Sequence, residues 1–517
     1  MSDSHDFDAE WLDSGRDDAD QSRIDRHDAG DLPPRNRTPS ASRLSALLRR
    51  RRFIGCDDIL FHSVTDEVGD CRPGDLFVAR ETADRDGHEL ISEAVSRGAS
   101  GSVAERMIPT VGVPLCIVPN ATSALSRVAE ALAGHPSRRL RVIAVTGTRG
   151  KTTTAWLTAS ILAEAGIAVG VLSDIGCLDG ESSMPVPAGR GDRPLDRPLV
   201  VSRWLRRLVL TGCTHAVLEV SRRMLTGGGL SGVRCDTVGI TNLATSRSDA
   251  QGTREARERL KARVIARLAR KGRAVVNADD PRLRGFTGDR GGVFVGLSGH
   301  ATAVCGSTVD RSLHGQTLLL QEGGTVCPVD LSPPLASFAR NALVAAGIAK
   351  RYGVGLTTVT RGLEAAGCVS GRLERCSFGQ EFTAFVDSPG CGHQLTATLT
   401  GLRELTPGRL ACVVSGRLAG QLSTEGCIGG GLPPLLRRWC DEAIVVPEDQ
   451  QGPEALARFA RLMDSLGEKD CLIMLDRRAI QPEPTDPSGE SMPLALLLEA
   501  WVESSSIAES FRKGRAA

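Results

Sequence analysis

Val145-Thr146-Gly147-Thr148-Arg149-Gly150-Lys151-Thr152-Thr153-Thr154 carries the strongest structural signal in the chain. An apolar run, Val142 to Val145, precedes it, and a helical pattern from about 152 to 165 follows. A strand thus feeds a glycine-bearing turn that opens a helix. Glycines let the backbone approach phosphate oxygens, and the N–H groups of a helix start attract anions. In such a loop Lys151 reaches the β- and γ-phosphates of a nucleotide, and the Thr152 hydroxyl ligates Mg²⁺. Val145 occupies the first glycine position of the general G-x-x-x-x-G-K-[ST] pattern, but the shorter T-G-T-x-G-K-T variant is met in full. The spacing predicts a phosphate loop that binds Mg-ATP.

Outward from the loop, strand-like and helix-like runs alternate. A strand Ala216 to Val220, a helix from about 253 to 271 and a strand Ala274 to Asn277 follow it. Such alternation predicts an α/β fold with a largely parallel sheet covered on both faces. Before the loop, residues from about 53 to 138 alternate in the same way, with Asp75-Leu76-Phe77-Val78-Ala79 as a strand and Leu90, Ile91, Ala94 and Val95 at helical spacing. After Asn341 a helix leads to Gly371-Arg372, where a third unit begins; its strands are Phe382 to Val386, Leu410 to Val414, Ala443 to Val446 and Cys471 to Leu475. With 517 residues, about three domains are expected at roughly 150 residues each. The reading divides the chain into an acidic, disordered tail (1–42), a first domain (43–138), a central domain (139–370) and a C-terminal Rossmann-like domain (371–517).

Composition narrows the function. Lys plus Arg number 63 against 62 Asp plus Glu, so no global field steers the chain to polyanions. Aromatics are only 3%, too few for a stacking platform, which argues against nucleic acid as the partner. No run nears the ~20 apolar residues of a membrane span. The 15 cysteines show no C-x-x-C spacing, so reduced thiols in a cytoplasmic protein are expected. The run Arg49-Arg50-Arg51-Arg52 reads as a solvated helix end.

The loop variant, together with Leu218-Glu219-Val220-Ser221, Ile240-Thr241-Asn242-Leu243, Val276-Asn277-Ala278-Asp279-Asp280-Pro281 and Gly371-Arg372-Leu373-Glu374-Arg375, resembles the Mur ligase family in its UDP-N-acetylmuramoyl-tripeptide synthetase (MurE-like) branch. In the first unit, Pro73 to Ala79 and Asp86-Gly87-His88 look like that family's uridine-nucleotide domain. The resemblance implies a three-domain, ADP-forming acid–amino-acid ligase that takes part in peptidoglycan precursor synthesis. Its substrates would be a UDP-muramoyl-peptide and an amino acid, and the chain would act as a monomer. It further implies ATP contacts from Gly147, Thr148, Gly150, Lys151, Thr152, Thr153, Asn341 and Arg372, with Lys151 and Lys261 catalytic. Mg²⁺ would be held by Thr152, Glu219 and Lys261, the last as a carbamate. The chain departs from the family pattern at Arg223 and Arg247, where histidines are usual, and at Ser388-Pro389-Gly390-Cys391-Gly392 in place of Y-A-H-T-P. The family's D-N-P-R segment aligns with Asp449-Gln450-Gln451-Gly452, so specificity for diaminopimelate is not expected. A nucleotide-binding paralogue serving as a regulator or scaffold is the alternative.

Overall fold

The structure is a computed structural model, and it describes residues 40–82, 85–109, 113–185, 194–243, 263, 266–283, 292–297, 303–390, 392–424, 432–446, 453–476, 494 and 496–503. Three sheets follow one another along the chain, each in α/β surroundings.

The first sheet has the strand order Arg52–Ile54, Leu115–Ile117, Gly101–Ala104, Asp75–Val78, Ser63–Thr65, parallel except at the Arg52–Ile54 edge. Alternation along one strand assigns its two faces. Leu76 and Val78 pack with Leu125 and Val128 of the helix Ala121–Leu132, while Phe77 and Ala79 pack with Ile91 and Ala94 of the helix Ile91–Ser96. Ser42–Arg43 pairs antiparallel with Leu60–Phe61, so the last residue of the predicted tail already belongs to the fold.

The central sheet has eleven strands. Arg141–Thr146 lies between His215–Glu219 and Cys235–Ile240, and both pairings are parallel. The chain leaves Arg141–Thr146 toward Val169–Ser173 on one side and returns to Cys235–Ile240 on the other. The carboxyl end of Arg141–Thr146 therefore sits at a switch in strand order, where open α/β sheets form their binding crevice. Helix Lys151–Glu164 covers one face with Leu157, Ile161 and Leu162, against Val145, Val171 and Val217. Helix Ala336–Arg351 shares that layer through a face of small residues, Ala339, Ala342, Ala345, Ala346 and Ala349. It begins five residues before Asn341, so Asn341 lies inside the helix rather than ahead of it.

Two further expectations change. The predicted helix to about 271 stops short, because the strand Leu268–Asn277 begins at Leu268, which is buried and paired with Cys235. Leu260, Val264 and Leu268 share a helical spacing, but Leu268 spends its apolar side chain on the sheet. The sheet is also less parallel than predicted. Val304–Ser312, Gly315–Glu322 and Thr325–Leu331 form an antiparallel meander at one end, and Gly176–Leu178 with Ser183–Met184 close the other antiparallel.

The third sheet runs Glu374–Cys376, Thr383–Asp387, Cys471–Leu475, Leu410–Ser415, Glu442–Val446 and is parallel apart from its first strand. Thirteen cysteines among the described residues are free thiols. Among the described residues no helix is long and apolar enough to cross a membrane.

Candidate active site

The phosphate loop leaves the central strand on two glycines with positive φ, Gly147 at 145° and Gly150 at 77°. A β-carbon on Gly150 would stand 2.2 Å from Asn341 Oδ1, and one on Gly147 would stand 2.1 Å from Thr241 Oγ1. Both positions thus need glycine for conformation and for space. Gly150→Ala combines left-handed strain with a clash against a buried amide, about 2–4 kcal/mol together. Titration calorimetry with ADP should show at least a tenfold weaker affinity for this variant; unchanged affinity would separate the loop from nucleotide binding.

Thr241 and Asn242, just beyond the strand Cys235–Ile240, pin the loop from the side. The Thr148 amide donates to the Asn242 carbonyl (3.1 Å), and the Arg149 amide donates to Asn242 Oδ1 (3.1 Å). The Arg149 carbonyl accepts from Thr241 Oγ1 (2.5 Å) and Asn242 Nδ2 (2.9 Å). Gly150 is the N-cap of Lys151–Glu164 and has no side chain to cap with, so the first-turn N–H groups of the helix are available to an anion.

Behind the loop, the Thr152 hydroxyl donates to Glu219 Oε2 at 2.9 Å, and the Asp174 amide donates to the same oxygen at 3.1 Å. Glu219 is the last residue of its strand and is almost wholly buried. Burial, reinforced by the Asp174 carboxylate, pushes its carboxyl above the usual range, against the pull of Lys151 and Arg372. A buried carboxylate beside a threonine hydroxyl is a hard-oxygen pair suited to Mg²⁺. Among the described residues there is no group of three His, Cys, Asp or Glu side chains that could hold a metal alone. The oxygens present therefore fit a cation that arrives with its own phosphate and water ligands, as Mg²⁺ does.

Arg372 reaches the loop from the start of the third unit. Gly371 (φ 62°) and Leu373 (φ 50°) flank it in the left-handed region. Leu373 is held there by burial and by donating its amide to Asp387 Oδ1 (3.3 Å), which offsets strain of about 1–3 kcal/mol. Arg372 Nη1 donates to the Ser388 carbonyl and Nη2 to Thr152 Oγ1 (3.3 Å).

The structure thus brings Gly147, Gly150, Lys151, Thr152, Glu219, Asn341 and Arg372 to one end of the central strand. Thr148 is exposed, and Thr153 is buried beneath the loop. Lys261 and Arg247 lie outside the described residues. Sequence reasoning missed two features. One is Arg149, whose guanidinium crosses to the His393 carbonyl (3.2 Å). The other is a cavity of about 390 Å³ lined by Arg80, Glu105 and Asn120 of the first unit and by Asp196, Arg223 and Met224 of the second. Ser221, two residues beyond Glu219, bonds Asp196 at its wall and caps the short helix Arg222–Gly227 that carries Arg223. The cavity and the phosphate loop therefore share one strand end.

Asp280 ties this end of the sheet together. It accepts from the Leu243 amide (2.8 Å) and from Arg282 Nε (2.8 Å). Burial alone would raise its carboxyl, but the bonds from Arg282 and Leu243 outweigh it and hold the group below its ordinary value. A depressed folded-state value means stability that is present above the unfolded value and lost as pH falls through the folded one. Acid unfolding followed by circular dichroism should therefore be less steep below pH ~4 in Asp280→Asn, which begins from a lower stability at neutral pH. An identical acid limb would remove Asp280 from this role.

A family model described as the Mur ligase middle domain matches residues 145–349. A UDP-N-acetylmuramyl-tripeptide synthetase from Roseiflexus sp. is 32% identical over 446 residues, covering 78% of this chain and 83% of the relative. The chain belongs to the Mur ligase family. A UDP-N-acetylmuramoyl-L-alanyl-D-glutamate–2,6-diaminopimelate ligase from Chlorobaculum tepidum is 31% identical, covering 70% of this chain and 73% of the relative. Among solved structures, a MurF ligase from Thermotoga maritima in complex with ADP shares the fold at a TM-score of 0.52 and 18% identity, over 80% of this chain and 93% of that one. The three-domain Mur ligase architecture expected from the sequence is thereby shown.

Proposed function

We propose that this Mur ligase is an ATP-dependent amide ligase that adds an amino acid to a UDP-N-acetylmuramoyl-peptide, forming ADP and phosphate. The observation that carries the reading is the convergence of Lys151, Thr152, Glu219 and Arg372 on a glycine-pinned loop at the switch point of the central sheet. Amide formation from a carboxylate is slow because a carboxylate is a poor electrophile. Transfer of the γ-phosphoryl group to the substrate carboxylate gives an acyl phosphate, and attack by the amine of the amino acid expels phosphate. This chemistry asks the protein for positioning and charge neutralisation. The first-turn amides and Lys151 cradle the phosphates, and Arg372 brings a second cation from the third unit. Thr152 and Glu219 would hold Mg²⁺, which supplies charge neutralisation at the phosphates. Lys261, as a carbamate, would add a further ligand.

The cavity between the first two units is the proposed place of the UDP-muramoyl-peptide, with Arg223 in its lining as a cation for the anionic groups and Arg80 beside it held by Asp66. The proposed domains are 43–138 for the uridine nucleotide, 139–370 for ATP and 371–517 as a lid, in a cytoplasmic monomer. The regulator or scaffold alternative draws no support from the relatives, which are named as synthetases and ligases. An ADP-release assay with UDP-muramoyl-dipeptide and a panel of amino acids tests the reading. Release that depends on one amino acid supports it; no acceptor-dependent release across the panel overturns it.

A further inference from the structure

Arg149 occupies the x of T-G-T-x-G-K-T, the position at which the loop pattern asks for no particular side chain. Its main chain is fixed on both sides, since the amide donates to Asn242 Oδ1 and the carbonyl accepts from Thr241 Oγ1 and Asn242 Nδ2. The half-buried side chain extends from this rigid base and donates from Nη1 to the His393 carbonyl at 3.2 Å, across 244 positions of sequence. His393 lies in the first turn of the helix Gly392–Leu405. The inner face of that helix, Leu395, Leu399 and Leu402, is fully buried in the core of the third unit. A hold on His393 is therefore a hold on the third unit as a body.

We propose that Arg149 is a positioning residue that latches the third unit onto the phosphate loop when nucleotide fills it. A guanidinium carries five donors in a fixed planar fork, so one edge can keep the His393 carbonyl while another meets a phosphate oxygen. A phosphate in the loop draws the guanidinium into a defined orientation and so strengthens its bond to the third unit. Arg372 makes a separate contact, to the Ser388 carbonyl, from within the connection between the two sheets. Arg372 also reaches Thr152 Oγ1, but from the third unit's side; Arg149 joins the two from the loop itself, so loop occupancy acts on lid closure through a side chain of the loop. The latch rests on the nucleotide reading of the loop.

The test uses the full chain with the nonhydrolysable ATP analogue AMP-PNP and Mg²⁺, following affinity by calorimetry and backbone hydrogen exchange in two regions, 147–160 and 388–400. In the wild-type chain the analogue should slow exchange in both. Arg149→Ala should bind the analogue up to about tenfold more weakly than wild type, because a latch that phosphate strengthens must strengthen phosphate binding in return, and should keep the protection at 147–160. Its protection at 388–400 should fall about tenfold, the effect of one charge-assisted hydrogen bond. Arg149→Lys, which keeps a cation and loses the fork, should restore part of that protection and serves as the second variant. Protection at 388–400 that is equal in wild type and Arg149→Ala would overturn the latch while leaving nucleotide binding intact. An affinity loss of about 100-fold or more in a folded Arg149→Ala, with protection lost at 147–160 as well, would make Arg149 part of the loop's own binding machinery rather than a latch and would also overturn it. No binding by the wild-type chain would remove the nucleotide reading and the latch together.

Discussion

Lys151→Ala should lower ADP formation about 1,000-fold in kcat, the loss typical when a donor aimed at developing transition-state charge is removed. Lys151 is half-buried at the first position of its helix and contributes nothing to the core, so its removal leaves folding intact. It is the ammonium of the phosphate loop, and phosphoryl transfer depends on cations set before charge builds on the transferred oxygens. Lys151→Arg should recover only a small part, because a wide planar fork does not fit where a compact point charge is wanted. A coupled ADP assay with a thermal melt alongside measures both effects. Activity within tenfold of wild type, in a folded Lys151→Ala, would show that the loop is not the phosphoryl-transfer site.

Glu219→Gln should have two effects of opposite sign. Activity should fall about 100-fold or more, because an amide replaces the anionic oxygen proposed for Mg²⁺. The nucleotide-free fold, by contrast, should gain stability over wild type as pH rises, since burial beside Asp174 disfavours the ionised carboxylate that the amide replaces. The sign follows from the raised carboxyl: the folded state holds its proton more tightly than the unfolded state does. The contribution favours the fold at low pH and is lost as pH rises through the folded value. The stability gain in Glu219→Gln should therefore shrink toward pH 4, and melts at several pH values measure this. A variant less stable than wild type at pH 8 would mean that Glu219 serves the fold through its hydrogen bonds to Thr152 and Asp174 rather than burdening it.

Local sequence carried much of this site because its parts are local. The loop from Gly147 to Thr152 is one turn between a strand and a helix, and glycine, lysine and threonine at fixed spacing state its chemistry. Glu219 was legible as a carboxylate at a strand's end, where α/β sheets place ligands. Arg149 was not. Its partner is a carbonyl 244 residues away, and a main-chain acceptor leaves no mark on residue identity. The cavity was hidden for a related reason, since Arg80 and Arg223 belong to separate units and line one cavity only when those units pack. In the fold, Val304 to Leu331 escaped because reading from the parallel core outward favoured strand–helix alternation. The period-two burial of Leu318 and Leu320, with the Gly323-Gly324 turn, does carry a hairpin signal. Leu373 illustrates the limit from the other side. A leucine at φ 50° contradicts its own preference, and only its burial and its bond to Asp387 hold it there.

In the proposed reaction the substrate's carboxylate is phosphorylated before the amide forms. UDP-muramoyl-dipeptide labelled with ¹⁸O in its terminal carboxylate, incubated with ATP, Mg²⁺ and the amino-acid panel, tests this directly. One ¹⁸O per turnover is expected in the released inorganic phosphate, together with a UDP-muramoyl-peptide extended by one residue. Extended product with unlabelled phosphate, or no extended product with any amino acid, would contradict it.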